Sequence, residues 1–83
     1  MKKTLQELKE MAQEIDATRL DGDTFGDYLT NLNSIYNGEI LKVDYIATAK
    51  DKDNILGALD KVTYTDNSID YYYWINRFAE KGL

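Results

Sequence analysis

Residues 51–75 read Asp-Lys-Asp-Asn-Ile-Leu-Gly-Ala-Leu-Asp-Lys-Val-Thr-Tyr-Thr-Asp-Asn-Ser-Ile-Asp-Tyr-Tyr-Tyr-Trp-Ile, and the reading of this stretch decides the fold. In its first half, Asp51 or Asp53 caps a short predicted helix with Ile55, Leu56, Leu59 and Val62 at helical spacing. Gly57 inside that helix costs about 1 kcal/mol against alanine, so the segment needs tertiary support. The second half scans two ways. By composition, Val62–Thr65, the turn Asp66-Asn67-Ser68 and Ile69–Ile75 suit a β-hairpin. Alternatively, Ser68 caps a helix over 69–81 on which Tyr71, Trp74, Ile75 and Phe78 share a face. Gly82 then ends it, with Arg77 and Lys81 placed for the helix dipole. The helix is the favoured reading.

Upstream, residues 39–48 alternate. Leu41, Val43, Tyr45 and Ala47 fall on one side, and Lys42, Asp44 and Thr48 on the other, the pattern of a half-buried strand. Residues 24–37 again have two readings. Phe25, Leu29, Leu32 and Tyr36 mark a helical face, with Asp23 as N-cap and Gly38 as stop. The rival is a short strand over 27–32 followed by an Asn-rich loop. Both cap signals favour the helix, which then forms an αα-hairpin with the N-terminal one. That first helix is the plainest element, predicted at about 4–18. Leu5, Leu8, Met11, Ala12 and Ile15 make one apolar stripe, and Thr4 and Glu7 make a capping box. The expectation is a small single α+β domain over 1–83. It is mostly helical, about four helices with a short β element near 39–48, and an all-α bundle is the alternative.

Composition narrows the function classes. The 83 residues include 15 acidic and 10 basic groups, a net charge of −5, with no Cys, His or Pro. Zinc fingers, thiolate clusters, haem-ligating histidines and Cys/His nucleophile pairs are excluded, and a serine triad lacks its base. Apolar runs are too short to span a membrane, and no apolar leader follows Met1-Lys2-Lys3. A cytoplasmic location is the default expectation. The glycines are scattered, without a phosphate-binding pattern. Asp21, Asp23, Gly26 and Asp27 partly imitate a calcium loop, but Phe25 and Leu32 stand where oxygen ligands are needed. No enzyme role, cofactor or metal is expected.

Charge and aromatics point instead to binding. Residues 21–48 hold Asp21, Asp23, Asp27, Glu39 and Asp44 against Lys42 alone, so most of the negative charge lies there. A solvated face is the bland explanation. The sharper one is a surface that attracts a basic partner by partial imitation of the phosphate stripe of DNA. Of the consecutive rings Tyr71, Tyr72, Tyr73 and Trp74, one or two should stay partly exposed, and exposed tyrosines anchor interfaces. Direct nucleic-acid binding is not expected, because only Arg77 and Lys81 lie near the rings. The candidate contacts are Asp21, Asp23, Asp27, Glu39 and Asp44 for charge, with Tyr36, Tyr71 and Tyr72 as anchors. The oligomeric state stays open, a homodimer being one option.

One motif adds to this. Tyr28-Leu29-Thr30-Asn31-Leu32, then Tyr36-Asn37-Gly38-Glu39-Ile40-Leu41, resembles the opening signature of antirestriction proteins of the ArdA type. In that family an acidic helix and a tyrosine-rich strand follow, and Asp51–Val62 and Ile69–Trp74 occupy similar places. Lys42, Val43 and Asp44 stand where the family has a glycine and a tryptophan. The resemblance implies a strand at 28–33 in place of the helix. In composition the chain is also similar to phage and plasmid anti-defence proteins, anti-CRISPR proteins among them, and to toxin-specific immunity proteins. The leading expectation is a mobile-element inhibitor that blocks the nucleic-acid site of a bacterial defence enzyme. The alternatives are an immunity protein or antitoxin for a basic toxin, and a helical interaction subunit.

Overall fold

The 51–75 stretch forms long strands, and this overturns the mostly helical expectation and its all-α alternative alike. The computed structural model describes residues 2–35 and 39–81. In chain order they form β1 (Lys2–Lys3), α1 (Leu5–Glu14), β2 (Thr18–Arg19), α2 (Phe25–Ser34), β3 (Ile40–Asp51), β4 (Asn54–Tyr64), β5 (Ile69–Ile75) and α3 (Arg77–Glu80). The strands make one five-stranded mixed sheet in the order β1-β3-β4-β5-β2. The β3–β4 and β4–β5 pairs are antiparallel, while β1 runs parallel to β3 and β2 parallel to β5.

The helix expected from Asp51 or Asp53 to Val62 is β4, and the one expected over 69–81 is β5 followed by the single turn of α3. The reason is burial on both faces. A central strand carries apolar residues on both sides, so its hydrophobic run imitates helical spacing. Along β5, Tyr73 and Ile75 join the core under α1, whereas Tyr72 and Trp74 join the core under α2. Alternate side chains point to opposite sheet faces. The two helices therefore lie on opposite faces, and the expected αα-hairpin does not form.

Both helices begin as their sequences require. Thr4 and Glu7 close the predicted capping box, and α1 ends at Ile15, just before Asp16 enters the left-handed region at φ 55°. α2 starts one residue later than expected, capped by Thr24 with Asp27 completing a second box. Residues 28–33 are helical, against the strand that the antirestriction likeness implies. The stop expected at Gly38 and the one at Gly82 lie outside the described residues.

Gly57 shows why β4 tolerates glycine. A Cβ there would sit 2.9 Å from Leu5 Cδ1 and 3.1 Å from the Trp74 carbonyl oxygen, so α1 seats directly on the strand backbone. Beside it, Ala49 pairs with Gly57 and Lys50 with Ile55, leaving Leu56 as an extra residue. This bulge sends Ile55 to the α2 core and Leu56 to the α1 core.

The C-terminal turn is tied down by charge. Glu80 accepts from Arg19 Nη1 and Nη2 at 3.0 and 2.8 Å and from Lys9 Nζ at 3.1 Å, linking α3 to β2 and α1. The Arg19 hydrogen bonds, with help from Lys9, hold the Glu80 carboxyl down from 4.5 to about 2. A folded-state value below the unfolded one stabilises above the unfolded value and is lost as pH falls through the folded one. The loss therefore runs from about pH 4.5 to pH 2. The site is partly exposed, which limits the effect to about 1 kcal/mol. Urea unfolding should show Glu80→Gln weaker than the parent at pH 6, with the difference gone near pH 2.

Candidate protein-binding surface

The acidic residues predicted as contacts do not share a face. Asp21, Asp23 and Asp27 sit where the chain enters α2, near the end of the sheet at which β5 finishes. Asp27 is occupied locally, its Oδ2 accepting from the backbone N–H of Asp23 and Thr24 at 3.2 Å each. Asp23 is 2.6 Å from Arg77 Nη2. Asp21 is exposed, and its backbone carbonyl accepts from Asn31 Nδ2 at 2.7 Å. Glu39 lies at the other end of the sheet, in a cleft of about 390 Å³ with Tyr64, Asp66, Ser68 and Asp70. The Ser68 hydroxyl and N–H hold the Asp66 carboxyl below the usual carboxylate range. Asp44 lies on the α1 side of the sheet, 3.4 Å from Lys42.

The aromatic candidates divide likewise. Tyr71 is half-buried on the α1 side, in a cross-strand row with Lys61 and Asp44. Tyr72 is buried and offers little surface. Tyr36 lies outside the described residues. Tyr73 is half-buried, while Trp74 is fully enclosed, its ring stacked on Tyr28 at 6.2 Å and its Nε1 donating to the Gly22 carbonyl at 2.7 Å.

Beneath α2 runs a polar network that sequence reasoning missed. The Tyr28 hydroxyl donates to buried Asp60 at 2.7 Å. The Tyr64 hydroxyl donates to Asp70 at 2.8 Å and lies 3.0 Å from the Tyr72 hydroxyl. Burial pushes the Asp60 carboxyl up, against the Tyr28 hydrogen bond that pulls it down. Burial first, then the Asp60 charge, pushes the Tyr28 hydroxyl well above the usual tyrosine range. The Tyr28–Asp60 pair is enclosed and organises the core, while the Tyr64–Asp70 end opens onto the cleft beside Glu39.

Exposed apolar side chains recur along β3, besides those at Ile69 and Phe78. Leu41, Val43 and Tyr45 are 58%, 40% and 56% exposed. Pairing of Val43 with Val62 and of Tyr45 with Asp60 places the latter two on the α2 side of the sheet. There α2 packs over β4 and β5, and of β3 it is Ile40 that joins its core. Leu41, Val43, Tyr45 and Ala47 were expected to form the buried side of a strand, yet only Ala47, under α1, is buried. A register shift between Tyr45 and Ala47 turns Ala47 to the α1 side, opposite Val43 and Tyr45, which stay exposed because β3 lies toward the sheet margin. β1 reaches only Thr48 and Ala49, and from Ile40 to Tyr45 no strand among the described residues pairs with its outer side. The alternation that identified the strand could not reveal which of its sides would be covered.

This arrangement is suited to binding. Three apolar residues are exposed along an open strand, Val43 and Tyr45 on its α2 side and the Asp44 carboxylate on the other. Among the described residues no group of three or more Asp and Glu is placed to hold a metal ion. No helix among them is long and apolar enough to cross a membrane. Comparison of the chain with family models, curated proteins and solved structures gives no match.

Proposed function

We propose that the protein is a small inhibitor, acting in the bacterial cytoplasm, that docks on a nucleic-acid-targeting defence enzyme and blocks its nucleic-acid site. The observation that carries this reading is the β3 strand, where Leu41, Val43 and Tyr45 are exposed on a chain of net charge −5. The apolar residues supply affinity through desolvated contact, Tyr45 being the aromatic anchor. The net negative charge steers the molecule to a basic channel that otherwise holds phosphates. Because the carboxylates are spread over both ends of the sheet and one face, imitation of DNA is partial. It acts through the field of the whole molecule more than through a phosphate-like row.

The test is competition. Purified CRISPR effector–guide complexes and restriction enzymes are titrated with the chain, and release of labelled target duplex is followed by mobility shift. At least one enzyme should lose its duplex, with inhibition falling steeply as salt rises. Tyr45→Ala should weaken inhibition by about tenfold or more. Glu39→Lys with Asp21→Lys should slow association without unfolding the chain, since neither carboxylate takes part in a side-chain hydrogen bond or ion pair among the described residues. Asp27 is a poor probe, because its carboxylate caps α2. Retention of the duplex across the whole panel would sink the proposal, and salt-insensitive inhibition would remove its electrostatic part.

A further inference from the structure

We propose that β3 pairs with β3 of a second copy, antiparallel and across a two-fold axis at Val43, joining two five-stranded sheets into one. This goes beyond the inhibitor reading and does not depend on it. The first observation is the open edge. From Ile40 to Tyr45 the outer side of β3 has no strand partner among the described residues. Such an edge is a template for another strand. Within it Lys42–Tyr45 pairs with β4 without interruption, and register shifts at Leu41 and Ile46 bracket this regular run. The bulges confine pairing to a short stretch, which favours a closed pair of molecules over an open chain of them.

The second observation is charge, and it selects both the occupant and the register. Lys42 and Asp44 lie on the same side of the sheet, flank Val43 and are exposed. An axis normal to the sheet keeps like sides together, so each residue must face one from its own side. Three such registers centre within the regular run's charged part. Centring on Lys42 sets lysine against lysine, and centring on Asp44 sets aspartate against aspartate. Centring on Val43 sets Lys42 against the second copy's Asp44, and Asp44 against its Lys42. Directly opposite unlike charges stabilise antiparallel pairs and like charges oppose them. The strand is thus complementary to itself in one register. Edge pairing uses backbone groups and leaves the Val43 and Tyr45 side chains on the sheet face. The two apolar surfaces adjoin across the axis and remain open to a further partner.

Sedimentation velocity on the full chain tests this without any enzyme. The parent should move from the 9.6 kDa chain mass toward twice that mass as concentration rises to the millimolar range. Lys42→Asp and Asp44→Lys should each weaken the dimer by about tenfold or more, because each reversal occurs twice across the axis. Combining the two should restore the dimer, which a general loss of folding cannot do. A second measurement covers single variants that do not fold. The chain has no cysteine, so Val43→Cys places one thiol at the axis, within disulfide reach of its copy. Mild oxidation should cross-link it far faster than Tyr71→Cys. A parent that stays monomeric at millimolar concentration would overturn the proposal. So would a dimer indifferent to both single reversals, or a Val43→Cys variant that cross-links no faster than Tyr71→Cys. Failure here leaves the inhibition assay untouched, and failure of that assay leaves the dimer untouched.

Discussion

Trp74→Ala is expected to remove about 4 kcal/mol of folding free energy, as full truncation of a buried aromatic does. Trp74 has no exposed surface, and it lies against Tyr28 and Phe25 with ring centroids 6.2 and 6.1 Å away. Its indole N–H also satisfies the Gly22 carbonyl, fastening the loop before α2 to β5. At roughly 0.05–0.15 kcal/mol per residue the chain has about 4–12 kcal/mol of stability, so the variant should lose from about a third to all of it. Because the sole tryptophan is lost, urea titration by far-ultraviolet circular dichroism is the suitable measurement. Trp74→Phe separates the causes. It keeps most of the packing and forfeits the hydrogen bond, at about 1–2 kcal/mol. A well-folded Trp74→Ala chain with parental stability would contradict the α2 core described above.

Tyr28→Phe should have the next largest effect, about 3 kcal/mol at pH 7, because it leaves a buried carboxylate without its donor. Tyr28 supplies the hydrogen bond that Asp60 receives beneath α2. The pH dependence gives the mechanism a signature. Burial raises the folded-state pKa of Asp60 above the ordinary 3.8. Relative to the unfolded chain, stability from this group is therefore fully present below that value and is lost as pH rises through the folded pKa. Tyr28→Phe removes the bond that favoured the charged form, so its deficit should shrink as pH falls toward 4. Asp60→Asn keeps an acceptor for Tyr28 without burying a charge. It should be at least as stable as the parent at pH 7 and should flatten the pH profile on this side of neutrality. Equilibrium unfolding of the three chains between pH 4 and 8 checks both. A pH-independent Tyr28→Phe deficit would locate the cost in packing instead of charge.

Legibility in the sequence followed the range of the forces involved. The capping box of Thr4 and Glu7 is local, and it forms as read. Helix α2 was legible for the same reason, although its cap moved from Asp23 to Thr24 because Thr24 and Asp27 satisfy each other reciprocally. The strand at 39–48 was visible from its alternation and extends to Asp51. By contrast, 51–62 and 69–81 misled. Ile55, Leu56, Leu59 and Val62 fit helical spacing only because β4 is apolar on both sides. For 69–75, the weight of Tyr, Trp and Ile signalled a strand, and the capping residue Ser68 pulled the reading the wrong way. That serine instead closes the β4–β5 turn with Asp66, its N–H and hydroxyl donating at 2.9 and 2.5 Å.

The candidate surface was less legible than the fold. Glu39 and Asp44 were identified by charge, but Leu41, Val43 and Tyr45 were assigned to the core. By itself, the sequence determined a small acidic chain without thiol or imidazole chemistry, two capped helices and one alternating strand. These follow from composition and from contacts within a few residues. Only the tertiary structure decided that 51–75 is a sheet, that α1 and α2 cover opposite faces, and that β3 is left open. Each of those outcomes depends on which distant segments pair. A strand's pattern records that one of its sides is apolar, but whether that side meets a helix, water or a second molecule is set by its place in the sheet.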